Sequence, residues 1–339
     1  VSVLRVVRET PDAVTLVLVD PTGAPVDFVA GQFFTLHLTI DGQTHKRAYS
    51  ASSCSLEKRS VSVTVKRVAG GKVSSHIVDA LREGDVLDLQ GPSGSFRPPA
   101  ASGPRRLVLV GGGSGITPLA SIARTALATE PQTEVALVYG NRALGDVIFR
   151  EALGEIAAES APRFVVRHVL ELPPDGWGGG TGQLGEEALA RELDALPSTD
   201  APTEYLLCGP ASMMSAARAC LERRGVPADR VREERFVSAH APASVGEGAP
   251  QPVKVRLRTG EVRELVVPPG RTVLEAAVSA GVDLPYSCSV GGCGTCLVRL
   301  AEGQVSMDEP NCLSAEERAR GCVLACVSRP STPCTLEVP

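Results

Sequence analysis

Short apolar runs alternate with turn signals over the first hundred residues. Val14–Val19, Gln32–Ile40, Ser60–Arg67 and Asp85–Gln90 read as strands, with turns such as Asp20-Pro21-Thr22-Gly23 between them. One helix is predicted near Ser74–Leu81. Short strands at regular spacing predict a closed barrel or sandwich. Beyond a proline-rich hinge, Pro98–Pro104, the period changes. Strands at Arg106–Val110, Val135–Tyr139, Phe164–Leu170 and Glu204–Cys208 alternate with helices at Thr117–Leu127, Val147–Ala157, Leu184–Ala195 and Ala211–Arg224. That alternation predicts a parallel sheet with helices on both faces. Residues 237–252 are rich in Ala, Ser, Gly and Pro and read as a linker. A third domain follows, with a hairpin (Lys254–Arg258, Glu264–Val267) and a helix (Val273–Ala280). The expected boundaries are 1–100, 101–236, a linker at 237–252, and 253–339.

Composition adds little to this picture until the cysteines. The 339 residues are 43% hydrophobic and carry a net charge of −5. No basic block stands out, so no nucleic-acid partner is expected. No apolar run approaches the roughly 18 residues of a membrane span. Val1–Asp12 has no long apolar core of a signal peptide, so a cytoplasmic location is expected.

Seven of the ten cysteines fall between Cys288 and Cys334. In a large chain such crowding points to metal or redox chemistry more than to disulfides. Cys288-x4-Cys293-x2-Cys296 is the plant-type [2Fe-2S] spacing. Gly291, Gly292 and Gly294 allow the loop to wrap closely and aim N–H groups at sulfur. A zinc site of this kind would show two paired C-x-x-C units, and here there is one. The fourth ligand is a choice among Cys312, Cys322, Cys326 and Cys334. Cys326 follows the apolar run Val323-Leu324-Ala325, which would deliver it on a buried strand; the other three lie in more polar or terminal positions. Cys54, Cys208 and Cys220 show no metal spacing and read as small core residues.

Three further motifs bear on cofactors. Arg47-Ala48-Tyr49-Ser50 places a cation and an aromatic ring on one side of an extended chain. Gly71-Lys72-Val73-Ser74-Ser75-His76 runs a glycine turn into a helix start, a ready anion site. Gly111-Gly112-Gly113-Ser114-Gly115-Ile116-Thr117-Pro118 and Cys208-Gly209-Pro210 each join a strand to a helix at the end of the sheet where ligands bind. Gly140-Asn141-Arg142 stands where an acid would hold a ribose hydroxyl, leaving NADH against NADPH open.

These motifs, with Val63-Thr64-Val65-Lys66-Arg67, Gly91-Pro92-Ser93-Gly94-Ser95-Phe96 and the tail Leu324-Ala325-Cys326-Val327-Ser328-Arg329-Pro330, resemble the ferredoxin–NADP reductase superfamily with a C-terminal ferredoxin domain. The likeness is strongest to the reductase components of 3-ketosteroid 9α-hydroxylase and phenylacetyl-CoA epoxidase. It implies an antiparallel FAD barrel, an α/β nucleotide domain and an α+β (β-grasp) ferredoxin domain. Arg47 would then hold the FAD pyrophosphate, Tyr49 stack on the isoalloxazine and Ser50 bond flavin N5, with Ala48, Val63, Val65, Lys66, Gly71, Lys72, Val73, Ser74 and Ser75 completing the FAD site. Thr117 and Cys208 would flank the nicotinamide, among Gly113, Gly115, Pro118, Asn141, Arg142, Gly209, Pro210 and Met213. Phe236 would lie near the flavin. Cys288, Cys293, Cys296 and Cys326 would hold the cluster. The implied activity carries electrons from NAD(P)H through FAD and [2Fe-2S] to a terminal oxygenase, with the protein a monomer. A reductase of small molecules or quinones, and a redox sensor, are the rival readings.

Overall fold

The structure, a computed structural model, describes residues 1–236, 249–286, 288, 291–292, 294–308 and 311–339. The chain divides into two compact units, Val1–Phe236 and Val237–Pro339.

The first unit opens with two three-stranded antiparallel sheets. One runs β1 (Ser2–Thr10), β2 (Ala13–Val19), β5 (Val61–Lys66); the other β4 (Gln43–Ser50), β3 (Phe33–Ile40), β6 (Asp88–Ser93). Single bridges, Ser2 to Val86 and Ala51 to Val63, join the two sheets into a barrel. The barrel core holds Leu16, Leu18, Leu36, Val63 and Val65, alternate residues of their strands. Helix α1 (Lys72–Ala80) plugs it with Val73, Ile77 and Val78.

The rest of the unit is a six-stranded parallel sheet in the order β10 (Gly180–Thr181), β9 (Phe164–Leu172), β8 (Thr133–Ala143), β7 (Arg105–Gly112), β11 (Thr203–Cys208), β12 (Val231–Glu234). Helices α2 (Ile116–Thr129) and α3 (Arg150–Glu159) pack on one face, and α4 (Glu186–Asp194) and α5 (Ala211–Arg223) on the other. The central strand β7 is buried along its whole length, as a strand covered on both faces must be. Two arginines start it, and each meets a glutamate: Arg105 with Glu130 at 2.7 Å, Arg106 with Glu134 at 2.6 Å. The strand order reverses beside β7, which makes the crevice between β7 and β11 the switch point where ligands of open α/β sheets bind.

The second unit is a mixed five-stranded sheet, β14 (Val262–Val267), β13 (Gln251–Arg256), β19 (Cys334–Glu337), β15 (Leu297–Glu302), β17 (Cys322–Leu324), with α6 (Val273–Ser279) and α7 (Ala315–Ala319), plus a small β16 (Val305–Met307) and β18 (Ser328–Pro330) pair. Thr272 and Glu275 at α6, and Ser314 and Glu317 at α7, form capping boxes that fix where each helix starts.

Several elements differ from their predicted limits. Residues 237–248 of the expected linker lie outside the described residues, while Gln251 and Pro252 already belong to β13. Pro252 stands near the start of the strand, paired with Val266 of β14 but outside the β19 ladder, which begins at Val253. The helix expected from Val147 begins at Arg150, since Val147, Ile148 and Phe149 are buried as a lead-in. The strand expected at Asp85–Gln90 lies at Asp88–Ser93. Cys334, read as terminal, is buried in the middle strand, its thiol donating to the carbonyl of Thr332 at 3.0 Å. No helix among the described residues is long and apolar enough to cross a membrane.

Candidate functional site

The C-terminal ends of β7, β8, β9 and β11 form the walls of a cavity of about 370 Å³. Gly113, Asn141, Arg142, Pro210 and Met213, all expected from the sequence, line it together with Gly112. The crevice is narrow because glycine lets two chains approach. A Cβ on Gly115 would stand 2.1 Å from the carbonyl oxygen of Cys208, so only glycine fits there. Met213 and Pro210 roof Gly112 in the same way. The turn is further held by Tyr139, whose hydroxyl donates to the carbonyl of Gly113 at 2.8 Å, and by Thr117, whose hydroxyl donates to the carbonyl of Ser114 at 3.1 Å. Thr117 and Pro118 are therefore buried parts of the turn's frame. Asn141 is 7% exposed, and neither atom of its amide has a hydrogen-bond partner among the described residues. A buried amide left unpaired is costly, and one lining a cavity fits a polar ligand such as a nucleotide. Arg142 points outward and pairs with Asp146 at 3.4 Å.

Cys208 faces Gly111 on one side and Glu234 on the other. Burial pushes its thiol well above the ordinary value, and Glu234 pushes the same way when it is ionised. Burial likewise pushes the Glu234 carboxyl up to about 8, and its Oε2 has no hydrogen-bond partner among the described residues. Sequence reading missed Glu234, which sits in a charged run that looks like solvated surface. It also missed Glu171, which lines the nucleotide cavity from the end of β9.

On the barrel, Arg47 and Tyr49 share one side of β4 and stand opposite Leu36 and Phe34 of β3. Tyr49 packs partly on the barrel core; burial raises its phenol pKa, and the Arg47 charge opposes that rise. Arg47 spends one N–H on the carbonyl of Lys46. Ser50 is buried at the strand end and Ala48 half-buried. Gly71 is the N-cap of α1 and offers no side-chain cap, so the first amides of the helix remain available to an anion. Ser74 serves the turn itself, accepting from the N–H of Val68 at 3.0 Å, and Lys72 pairs with Asp41 at 2.8 Å. Val63, Val65 and Val73 are core residues, which leaves only their backbone for a ligand. Lys66 lines the nucleotide cavity. Ser75 is half-buried, Gly209 lies against Met213, and Phe236 is 46% exposed.

In the second unit Cys288, Cys296 and Cys326 are buried together. Hydrogen bonds to Cys288 and Cys296 raise the Cys326 thiol, and the same contact lowers Cys296. Backbone N–H groups point at two of these sulfurs, Gly291 at Cys326 (3.2 Å) and Gly292 at Cys288 (3.3 Å). Gly291 has φ +76, the left-handed region, and packs against Val327 and Asn311. Gathered thiols with N–H donors to sulfur are the donor set an iron–sulfur cluster needs. Cys293 lies outside the described residues. Of the rival fourth cysteines, Cys312 is exposed, Cys322 is half-buried in β17, and Cys334 is engaged as described.

Comparison with known proteins fits this geometry. Three family models match: an oxidoreductase FAD-binding domain over residues 7–97, an oxidoreductase NAD-binding domain over 109–219, and a 2Fe-2S iron-sulfur cluster binding domain over 258–331. The chain is 33% identical to a subunit of the 1,2-phenylacetyl-CoA epoxidase of Escherichia coli strain K12, over 98% of this chain and 94% of that one. It is 34% identical to the ferredoxin reductase component of the 3-ketosteroid-9-alpha-monooxygenase of Mycobacterium tuberculosis, over 98% and 93%. Among solved structures, phthalate dioxygenase reductase matches with a TM-score of 0.68 and 26% identity, over 99% of this chain and 97% of that one. The chain thus belongs to the family of oxygenase reductases that join an FAD-binding barrel, an NAD-binding α/β domain and a plant-type [2Fe-2S] ferredoxin.

Proposed function

We propose that this reductase takes its electrons from NADH in preference to NADPH and delivers them to a separate terminal oxygenase. The observation that carries the nucleotide preference is Glu171. Its carboxylate lines the cavity at the end of β9 and makes no ion pair among the described residues. A ribose 2′-hydroxyl can donate to such a carboxylate, whereas a 2′-phosphate would be repelled by it. The one arginine of the cavity, Arg142, is tied to Asp146, and Lys66 lies 3.8 Å from Asp12. Both cations are partly neutralised, so neither offers a 2′-phosphate a free partner.

Residues 1–100 hold FAD in this reading, 101–236 the nicotinamide nucleotide and 253–339 the cluster, joined by 237–252. FAD held there would supply the exchange between a two-electron hydride donor and a one-electron acceptor. Arg47 balances the pyrophosphate charge, with the first amides of α1 beside it. Ser50 and Tyr49 would orient the ring, and Phe236 offers an exposed aromatic face to it. Gly113, Gly115 and Gly209 let the dinucleotide approach the backbone, and Asn141 gains the hydrogen bonds it lacks. Cys208 and a protonated Glu234 keep the nicotinamide end uncharged and dry. Cys288, Cys293, Cys296 and Cys326 would hold the cluster, which would supply one-electron chemistry. The oxygenase role of the named relatives supports a partner with its own oxygen-activating metal. The reading includes a monomer in the cytoplasm, which sedimentation and fractionation check.

The test is the ratio of kcat/KM for NADH over NADPH with a one-electron acceptor. NADH is expected to lead by about tenfold or more, equivalent to roughly 1.4 kcal/mol, and Glu171→Gln to narrow the gap. Equal use of the two nucleotides, or a gap unmoved by that substitution, would sink the proposal.

A further inference from the structure

A second cavity lies away from the nucleotide crevice, between the barrel and the parallel-sheet domain of the first unit. Its volume is about 540 Å³, within the range of small-molecule sites. The barrel contributes β1 and β2, including Arg5 and Glu9; the other wall is Arg124 of α2 and the start of α3.

Arg124 distinguishes this cavity. Burial lowers its pKa, with the Glu9 charge opposing. Its Nη1 donates to the carbonyl of Ser52 at 2.5 Å, and its guanidinium stands 5.0 Å from the ring centroid of Phe149. Its Nε and Nη2 make no hydrogen bond, and no carboxylate forms an ion pair with it, among the described residues. The buried arginines of β7 are each matched by a glutamate. A half-buried cation with free N–H groups and no ion-pair partner is better stabilised when an anion supplies one.

Two further features converge there. Phe149 is a bulky residue at φ +61, a conformation it adopts only under constraint, and it holds its ring beneath Arg124. It is also the N-cap of α3 and provides no side-chain cap, so the first amides of that ten-residue helix, at the cavity wall, lack helix partners. The lining arginines are Arg5, Arg8, Arg124 and Arg150 and the acids Glu9, Glu151 and Glu155, an excess of one positive charge. Arg150 already lies 3.9 Å from Glu151, and Glu9 accepts from Thr15 at 2.6 Å.

We propose that this cavity binds a small organic oxyanion, a phosphate ester or a carboxylate, through Arg124 and the amides of α3. The anion is held by the nucleotide domain, through α2 and α3, and faces β1 and β2 of the barrel across the cavity. The planar fork of arginine suits either headgroup.

The test uses FAD-loaded protein with saturating NAD+, which fills the nucleotide crevice. Inorganic phosphate and citrate serve as probes of the two headgroups, against sodium chloride at matched ionic strength. Thermal midpoint and isothermal titration are the readouts. One or both probes should raise the midpoint beyond chloride, and the one that does names the headgroup. Arg124→Gln, which retains a donor for Ser52, should weaken binding about tenfold or more, the equivalent of one charge-assisted hydrogen bond. Ala152→Glu tethers a carboxylate at the cavity wall; it should raise the midpoint without a probe and abolish the response. No response beyond chloride, or one unchanged in both variants, overturns the proposal.

Discussion

Cys208 and Glu234 are register partners at the C-terminal ends of two adjacent parallel strands, and burial holds both in their protonated forms. The folded protein keeps the Glu234 proton up to about pH 8, whereas the unfolded chain releases it near 4.5. Between those values the folded state binds more protons, so stability falls as pH rises and the loss is complete above 8. Glu234→Gln should remove that slope. We expect the variant to gain on the order of 1–3 kcal/mol relative to wild type between pH 5 and 8. Denaturation midpoints of the FAD-loaded proteins across this range decide it; parallel curves would show that Glu234 is ionised throughout.

The cluster assignment predicts a split among the cysteines. Serine at Cys288, Cys293, Cys296 or Cys326 should abolish the reduced-state [2Fe-2S] EPR signal while flavin-dependent ferricyanide reduction persists. Serine at Cys312, Cys322 or Cys334 should leave the signal in place. Loss of the cluster on changing Cys322 but not Cys326 would reverse the choice of fourth ligand.

Gly115 stands where any side chain would collide with the Cys208 carbonyl. The contact is with backbone, so it cannot be relieved by a rotamer. Gly115→Ala should cost about 1–3 kcal/mol of stability and raise KM for NADH more than it lowers flavin content. Urea unfolding with absorbance at the flavin bands separates the two effects, and an unchanged midpoint would show that the turn can give way.

Asn141 carries an unpaired amide into the nucleotide cavity. Asn141→Ala removes a buried polar group that the protein alone does not satisfy. Its stability should therefore change by less than about 1 kcal/mol, while the dissociation constant for NAD+ rises about tenfold, the worth of a lost hydrogen bond in a dry site. Equilibrium binding followed by flavin absorbance measures this. A stability loss without a binding loss would make Asn141 a structural residue.

The parallel sheet was legible wherever burial covers both faces. Ile116–Thr129, Thr203–Cys208 and Ala211–Arg223 lie within two residues of their predicted limits, because continuous apolar runs and helical periods set them locally. Strand β4 was legible only at its end, where Arg47-Ala48-Tyr49-Ser50 reads as extended; the rest of Gln43–Ser50 is polar and becomes a strand through its pairing with β3. Phe149 belongs to an apolar period yet turns left-handed, a choice made by packing under Arg124. The cysteine spacing and the glycine turns announced the chemistry because few residues can replace them. Glu171 and Glu234 carried no such mark. An acid in a charged or loop-like run acquires its character only from the walls the fold builds around it.

The five-stranded sheet of the second unit has Cys334–Glu337 as its middle strand, flanked by Gln251–Arg256 and Leu297–Glu302. Of the five strands, the middle one is the last to be synthesised. Until it has left the ribosome, the first strand and the strand that follows the cysteine loop have nothing between them to pair with. The sheet that presents Cys296 and Cys326 is therefore closed only after all the cysteines have been made.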